Sequence, residues 1–348
     1  MRWFDPDSAD SDDRLRDYDD DNYPDALLRR RHREIVRRCE GRPLDEILPG
    51  TELEGEYGRC WLLKTEFRGA LRRWERRTAE ADLLCSTQLV RGIRDRTRKK
   101  LARDGVATIA DLEAHPRFGP ESRRIRSLLE TGRTVELAEV LGSRLSRSDP
   151  LVLRLCGMHD DSEFLFLDLE TMGLFAGQPI VVAGIARLHP GNRIAVEQFV
   201  CRDLDDELQL VAEVNRRLQE SRVLVTFNGK AFDVPQVQAR SAYYGIRFGF
   251  KGLHFDLLHF CRRTWRSEIG ACDLGNIEHA ILGQSRDEDL PGEFVPLFFH
   301  RYLSTGNAGF LKPIVDHNRQ DVASLVNILT ELINHWSGSA QARSALQD

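Results

Sequence analysis

Five residues in three places have the types and spacing to do chemistry: Asp168 with Glu170, Asp233, and His317 with Asp321. Asp168 and Glu170 end the apolar run "FLFLDLET". Alternate residues of a strand share a face, so these two carboxylates stand together at a strand end and repel unless a cation lies between them. Asp233 comes after the β-branched run "RVLVTFNG", near the start of a following helix. In layered α/β domains, ligands gather beyond the carboxyl ends of strands. His317 and Asp321 are four apart in the helical pattern "VDHNRQDVASL", which puts one above the other, beside the apolar stripe Val322, Leu325, Val326 and Leu329. Singly, each has an ordinary explanation: an exposed strand end, a helix starter, a structural pair. Together they are oxygen ligands of the kind that select Mg²⁺ or Mn²⁺. An imidazole whose ordinary pKa of about 6.5 suits proton transfer near neutral pH lies beside them.

The elements that must position these groups occupy residues 162–336. "EFLFLDLE" is strand-like. "QPIVVAGIARLHPGNRIAVEQFVC" is two further strands joined at a Pro190-Gly191-Asn192 turn. The amphipathic "LDDELQLVAEVNRRLQES", the strand "RVLVTFNG" and alternating helices and strands follow, with a long helix from about Pro313 to Trp336. The order β-β-β-α-β-α-β-α makes this an α/β domain. Its first three strands are antiparallel, and its later ones need right-handed helical crossovers.

Upstream, residues 1–22 are acidic and poor in aliphatic side chains, which predicts a disordered tail. Residues 23–150 read as a mainly helical region, with strand-like segments near Gly55, Gly58 and Cys60–Leu63. "RLSRSDP" is the linker candidate, and 337–348 a flexible C-terminus. The 348 residues suit about two domains. A net charge of −5 excludes a uniformly basic nucleic-acid binder, but the Arg-rich stretch after the acidic tail makes the distribution uneven. Seven cysteines without a CxxC pair argue against a zinc ribbon or a disulfide framework. No run approaches the roughly 18 apolar residues of a membrane span, and there is no secretory h-region; the cytoplasm is the expected location. The phosphate loops GxGxxG and GxxxxGK[ST] are missing.

Between Leu89 and Pro116, Arg96, Arg98, Lys99 and Lys100 lie on a basic helix that stops at Gly105. Thr108 and Asp111 open the next short helix as a capping box. Backbone amides at such a start, beside Arg and Lys, suit a phosphate oxygen. This segment (about 89–116) resembles a helix-hairpin-helix module, which binds the DNA backbone without sequence preference, except that Arg94 stands where the second hairpin glycine is usual.

The chemical motifs carry a second resemblance. "FLDLET", "FNGKAFD" and "HNRQD" resemble the three motifs of the DEDD exonuclease superfamily. Within it, "FDLLHFCRRTW", "LGNIEHAILG" and "LPGEFVP" are most similar to the bacterial YprB-like ribonuclease H-like proteins. The resemblance implies a ribonuclease H-like mixed sheet: three antiparallel strands, then parallel strands, with helices on both faces. It implies a two-metal-ion 3′–5′ exonuclease, with Asp168 bridging both ions, Glu170 and Asp321 completing the first, and Asp233 serving the second. His317 would orient or deprotonate water; it stands four residues before the last Asp, where the superfamily places a Tyr, its His being five before. The implied partner is nucleic acid, with Asn228 and Phe232 as candidate contacts to the terminal nucleotide. DNA is favoured over RNA by the hairpin-like segment. An exoribonuclease and a non-catalytic nucleic-acid binder are the alternatives. Asp256 and Phe175 are further candidates near the site, and Arg262, Arg263 and Arg266 for a nucleic-acid path.

Overall fold

A computed structural model describes residues 26–286 and 289–344 of the chain. The expected acidic tail, 1–22, lies outside the described residues. One seven-stranded sheet organises the rest, in the order β1-β2-β5-β4-β3-β6-β7. Its strands are β1 (Thr51–Gly55), β2 (Gly58–Arg68), β3 (Phe164–Thr171), β4 (Ile180–His189), β5 (Arg193–Val200), β6 (Val223–Thr226) and β7 (Leu253–Asp256).

As the hydrophobic alternation predicts, β3, β4 and β5 form an antiparallel meander, and β6 and β7 run parallel to β3. The expected turn joins β4 to β5, with Gly191 and Asn192 at positive φ. This is the ribonuclease H-like arrangement. Upstream of residue 150, however, the chain is not only helices. The β1–β2 hairpin pairs with the free edge of β5, from Trp61↔Val200 to Arg68↔Arg193. The division expected near 150 is therefore not a division of the sheet, because a nonlocal pairing carries it across.

Both faces of the sheet are covered. Leu165, Leu167 and Leu169 of β3 enter one core with Leu210 and Val214 of α1 (Glu207–Glu220) and Val237 of α2 (Asp233–Tyr243). Phe164 and Phe166 enter the other, with Phe260 and Trp265 of α3 (Leu257–Ile269). Burying each of these phenylalanines contributes about 1.5–3 kcal/mol. By strand parity, Asp168 and Glu170 face the side of Phe164 and Phe166.

The last helix, α4 (Leu311–Ser344), continues beyond the expected end near Trp336. Leu311, Ile314 and Val315 belong to the first core, and Val322, Leu325 and Leu329 to the second. The stretch between them, 316–321, carries His317 and Asp321. All seven cysteines are free thiols, six of them buried. Among the described residues, no helix is long and apolar enough to cross a membrane.

Candidate functional site

Asp168 pairs with Gly184 in the middle of the sheet, and the β3–β4 register shifts between Glu170 and Thr171. Such a bulge re-aims the side chains at a strand end. Glu170 is buried, whereas Asp168 stands more open to solvent. Asp233 arrives on the turn after β6. Asn228 there adopts φ 63°, and Gly229 is required by space, since a Cβ would stand 2.4 Å from the Thr226 side chain. Asp256, at the end of β7, ties this turn down. Its Oδ1 accepts the Asn228 amide at 2.8 Å and the Leu258 amide at 3.2 Å; its Oδ2 accepts the Lys230 amide at 3.1 Å. Asp256 is thus a structural clamp for the turn that delivers Asp233 to the first position of α2.

His317 and Asp321 lie on one face of α4, as their spacing predicts. The imidazole Nε2 is 3.7 Å from Glu170 Oε1 and 3.5 Å from Asp321 Oδ2. Its Nδ1 is hydrogen-bonded to Asp289. Arg286 reaches into the same group: Nη2 donates to Asp321 Oδ1 at 2.5 Å, Nη1 meets Asp289 Oδ1 at 3.2 Å, and Nε bonds to the fully buried Glu278. Gln320 also donates to Glu278, at 3.2 Å.

The electrostatics follow from this crowding. Burial, then the charges of Asp321, Glu170 and Asp233, raises the Asp168 pKa well above the usual carboxylate range. Burial pushes Glu170 up to about 8 and Asp233 up to about 7, and raises Asp321. Burial alone would lower His317, but Asp321, Glu170 and the hydrogen bond to Asp289 outweigh it and push the imidazole up to about 10. The ordinary value near 6.5 expected from sequence is therefore replaced by an imidazolium: three carboxylates surround a ring that the sequence places beside one. Asp289 stays below the usual range despite burial, through His317 and Arg286.

These residues suit a divalent cation by chemistry rather than by a finished cage. Among the described residues, no three His, Cys, Asp or Glu side chains form a group ready to hold an ion. Yet the donor set is hard oxygen, the acids repel one another, and Asp233 Oδ1 is buried with no hydrogen-bond partner. A buried carboxylate oxygen left unpartnered is costly, and a cation relieves that cost. One oxygen of each of two of these carboxylates is held by a protein donor: Asp321 Oδ1 by Arg286 and Asp168 Oδ2 by Asn318.

The remaining predicted residues divide. Phe232, directly before Asp233, is half-exposed, and Asn228 is exposed on the clamped turn. Phe175 is 81% exposed and Leu174 74%, on the loop that follows Glu170. That loop is not slack: Gln236 receives the Gly177 amide at 2.7 Å and donates to the Phe175 carbonyl at 2.8 Å, and Arg240 donates to the Gly177 carbonyl at 3.1 Å. Arg262 and Arg266 rim a cavity of about 570 Å³ floored by Phe227, Leu258 and Leu274, while Arg263 pairs with Asp149 at 3.7 Å.

Arg96, Arg98, Lys99 and Lys100 stay on an exposed helix, Asp95–Arg103, where Arg98 pairs with Asp95 at 3.3 Å. The amides expected to await a phosphate near Thr108 are already used: Asp111 Oδ2 accepts those of Ala107 at 3.0 Å and Thr108 at 2.8 Å. Thr108 Oγ1 accepts the Asp111 amide in return, and Glu121 accepts the Arg91 amide at 2.6 Å. The first turn of Asp95–Arg103 has no side-chain cap.

Sequence reasoning missed Asn318, Arg286, Asp289 and Glu278. Asn318 stood inside a motif already singled out. Glu278 stood inside another, "LGNIEHAILG", while Arg286 and Asp289 belong to a charged stretch that carries no period.

Residues 165–333 match the model of the RNase H superfamily. The uncharacterised protein YprB of Bacillus subtilis (strain 168) is 34% identical over 178 residues, 49% of this chain and 42% of that protein. Among solved structures, the family B DNA polymerase of the hyperthermophilic archaeon Pyrobaculum calidifontis is similar over 49% of this chain and 24% of its own, at 17% identity and a TM-score of 0.40. The chain thus spans less than half the length of either relative. From 165 to 333, the chain is similar to the domains of the RNase H superfamily.

Proposed function

We propose that the chain is a nuclease that hydrolyses phosphodiester bonds with two divalent ions, Mg²⁺ or Mn²⁺, and acts as a 3′–5′ exonuclease that prefers single-stranded DNA. One observation carries this: β3, the turn into α2, and α4 bring Asp168, Glu170, Asp233 and Asp321 close enough to perturb one another's ionisation, with His317 between two of them. The match of residues 165–333 to the RNase H superfamily supports a nucleic acid as substrate.

Asp168, Glu170 and Asp321 would hold one ion and Asp168 with Asp233 the other. When bound, the ions supply charge neutralisation for the phosphodiester and a water acidic enough to attack it. The protein's own contribution is position and protons. Asp289 fixes the ring of His317 through Nδ1, so that Nε2 faces the acids and holds a proton there. Asp256 fixes the Asn228 turn beside them. The pinned loop after Glu170 presents Phe175 and Leu174 to solvent, an apolar surface on which a base can stack.

The test is incubation of end-labelled single-stranded DNA, duplex DNA and RNA with the full chain in Mg²⁺ or Mn²⁺, resolving product length and polarity. Mononucleotides released from the 3′ end of single-stranded DNA, lost in Asp168→Ala and Asp321→Ala, are expected. Preference for RNA makes it an exoribonuclease. Binding without cleavage makes it a scaffold and sinks the enzymatic reading.

A further inference from the structure

Asp168 is held by an arrangement spanning three strands and α4. Asp168, Gly184 and Gln198 stand in one row across β3, β4 and β5. Asn318 lies over that row. Its Nδ2 donates to the Asp168 carbonyl at 3.0 Å and to Asp168 Oδ2 at 2.9 Å. Its Oδ1 accepts from Gln198 Nε2 at 2.9 Å, and the same Nε2 donates to the Val315 carbonyl at 2.8 Å. Asn318 is 0% and Gln198 1% exposed. Two amides buried this deeply persist only when their polar atoms are matched, and here the matching fixes which way each one points. Because Gln198 offers a donor, Asn318 must turn its oxygen toward it and its NH₂ toward Asp168.

Gly184 makes the room. A Cβ there would stand 2.3 Å from Asn318 Oδ1. Its φ is not positive, so the requirement is close approach and not backbone freedom. The chemistry of an amide also matters. An Arg or Lys in this place would neutralise Asp168, whereas an amide occupies Oδ2 and leaves the charge.

We propose that Asn318 is a positioning residue: it holds Asp168 by Oδ2 so that Oδ1 is presented to a divalent cation, and Gly184 and Gln198 hold Asn318 in that orientation. This rests on the metal site proposed above.

The experiment is Mn²⁺ titration by calorimetry on the full chain, wild type against Asp168→Ala, Asn318→Ala, Gly184→Ala and the Asn318→Ala/Gly184→Ala double variant, each first melted in EDTA to establish folding. Removing the group that orients a metal ligand weakens binding about 10–100-fold, so Asn318→Ala and Gly184→Ala should each lose about tenfold or more. Gly184→Ala keeps every polar group and only displaces Asn318, so it carries the test if Asn318→Ala does not fold. In the double variant the new Cβ has nothing to displace, and affinity should equal that of Asn318→Ala alone. A merely structural Asn318 would move the melting temperature and leave affinity unchanged. Wild-type affinity in both single variants, with binding lost in Asp168→Ala, overturns the positioning role alone. Equal Mn²⁺ binding by wild type and Asp168→Ala overturns the metal site and the positioning role with it.

Discussion

Arg286 Nη2 donates to Asp321 Oδ1 at 2.5 Å while Nε of the same guanidinium is bonded to Glu278, a carboxylate with no exposed surface. One cation therefore serves a candidate ligand and a buried acid. Breaking a buried pair by removing one partner leaves the other charge uncompensated, which costs about 3–5 kcal/mol. Arg286→Ala should destabilise the fold by about that much in chemical denaturation. Adding Glu278→Gln should recover more than half of the loss. A loss below about 1 kcal/mol would place the pair among ordinary exposed salt bridges and refute this account.

Asp233 makes stability depend on pH and on cations. Burial raises its pKa from 3.8 to about 7, so the folded protein keeps a proton that the unfolded chain has already released. Cation-free stability then falls as pH rises through that window, being intact below the unfolded value. Asp233→Asn removes the ionisation. At about pH 8 in EDTA it should be more stable than wild type, on the order of 3 kcal/mol, with the difference vanishing near pH 4. Mn²⁺ should stabilise the wild type more than the variant. Melts of both proteins across pH, with and without Mn²⁺, decide it; a wild type more stable at the alkaline end contradicts the burial argument.

The four acids are legible in the sequence because each ends or begins a strongly patterned element. "FLFLDLET" alternates, "RVLVTFNG" is a buried run, and 311–333 keeps helical spacing, so parity and period put Asp168, Glu170, Asp233 and Asp321 on their elements, and the resemblance of the three motifs groups them. What is hidden depends on partners distant in sequence. β2 reads as a strand, but nothing local says that it pairs with β5, some 130 residues on. The ionisation of His317 depends on Asp289, from an acidic stretch without period. The amides near Thr108 look available until Asp111, read only as a capping acid, is seen to accept two of them. Asn318 reads as a spacer between His317 and Asp321 until α4 is laid over Gly184.

His317 should be an imidazolium in the cation-free protein at neutral pH. With its pKa pushed up to about 10, it stabilises the fold fully below its unfolded value near 6.5. That contribution fades as pH rises toward 10. Nitrogen-15 chemical shifts of the ring report this directly: wild type should remain protonated past about pH 8. Asp289→Asn, which removes the hydrogen bond at Nδ1, should bring the titration down by about one unit or more, each unit being about 1.4 kcal/mol of lost interaction. A ring already neutral at pH 7 in the wild type would mean that the three carboxylates do not govern it.

Substitution of Phe175 should separate substrate capture from chemistry. It is 81% exposed, and the loop beneath it is held by Gln236 and Arg240 through backbone atoms. Phe175→Ala therefore removes an aromatic face without touching what holds the loop, and the melting temperature should stay within a degree or so, as for most surface substitutions. If bases of a single strand stack there, each contact is worth about 1–3 kcal/mol, and KM for a short single-stranded oligonucleotide should rise about 5–100-fold. The same loss in the ground and transition states leaves kcat unchanged. Gln236→Leu, by contrast, unpins the loop and should lower kcat as well, because Glu170 lies at its root. Steady-state kinetics on the two variants distinguishes a stacking platform from a loop whose apolar tip has no part in binding: an unchanged KM in Phe175→Ala gives the second answer.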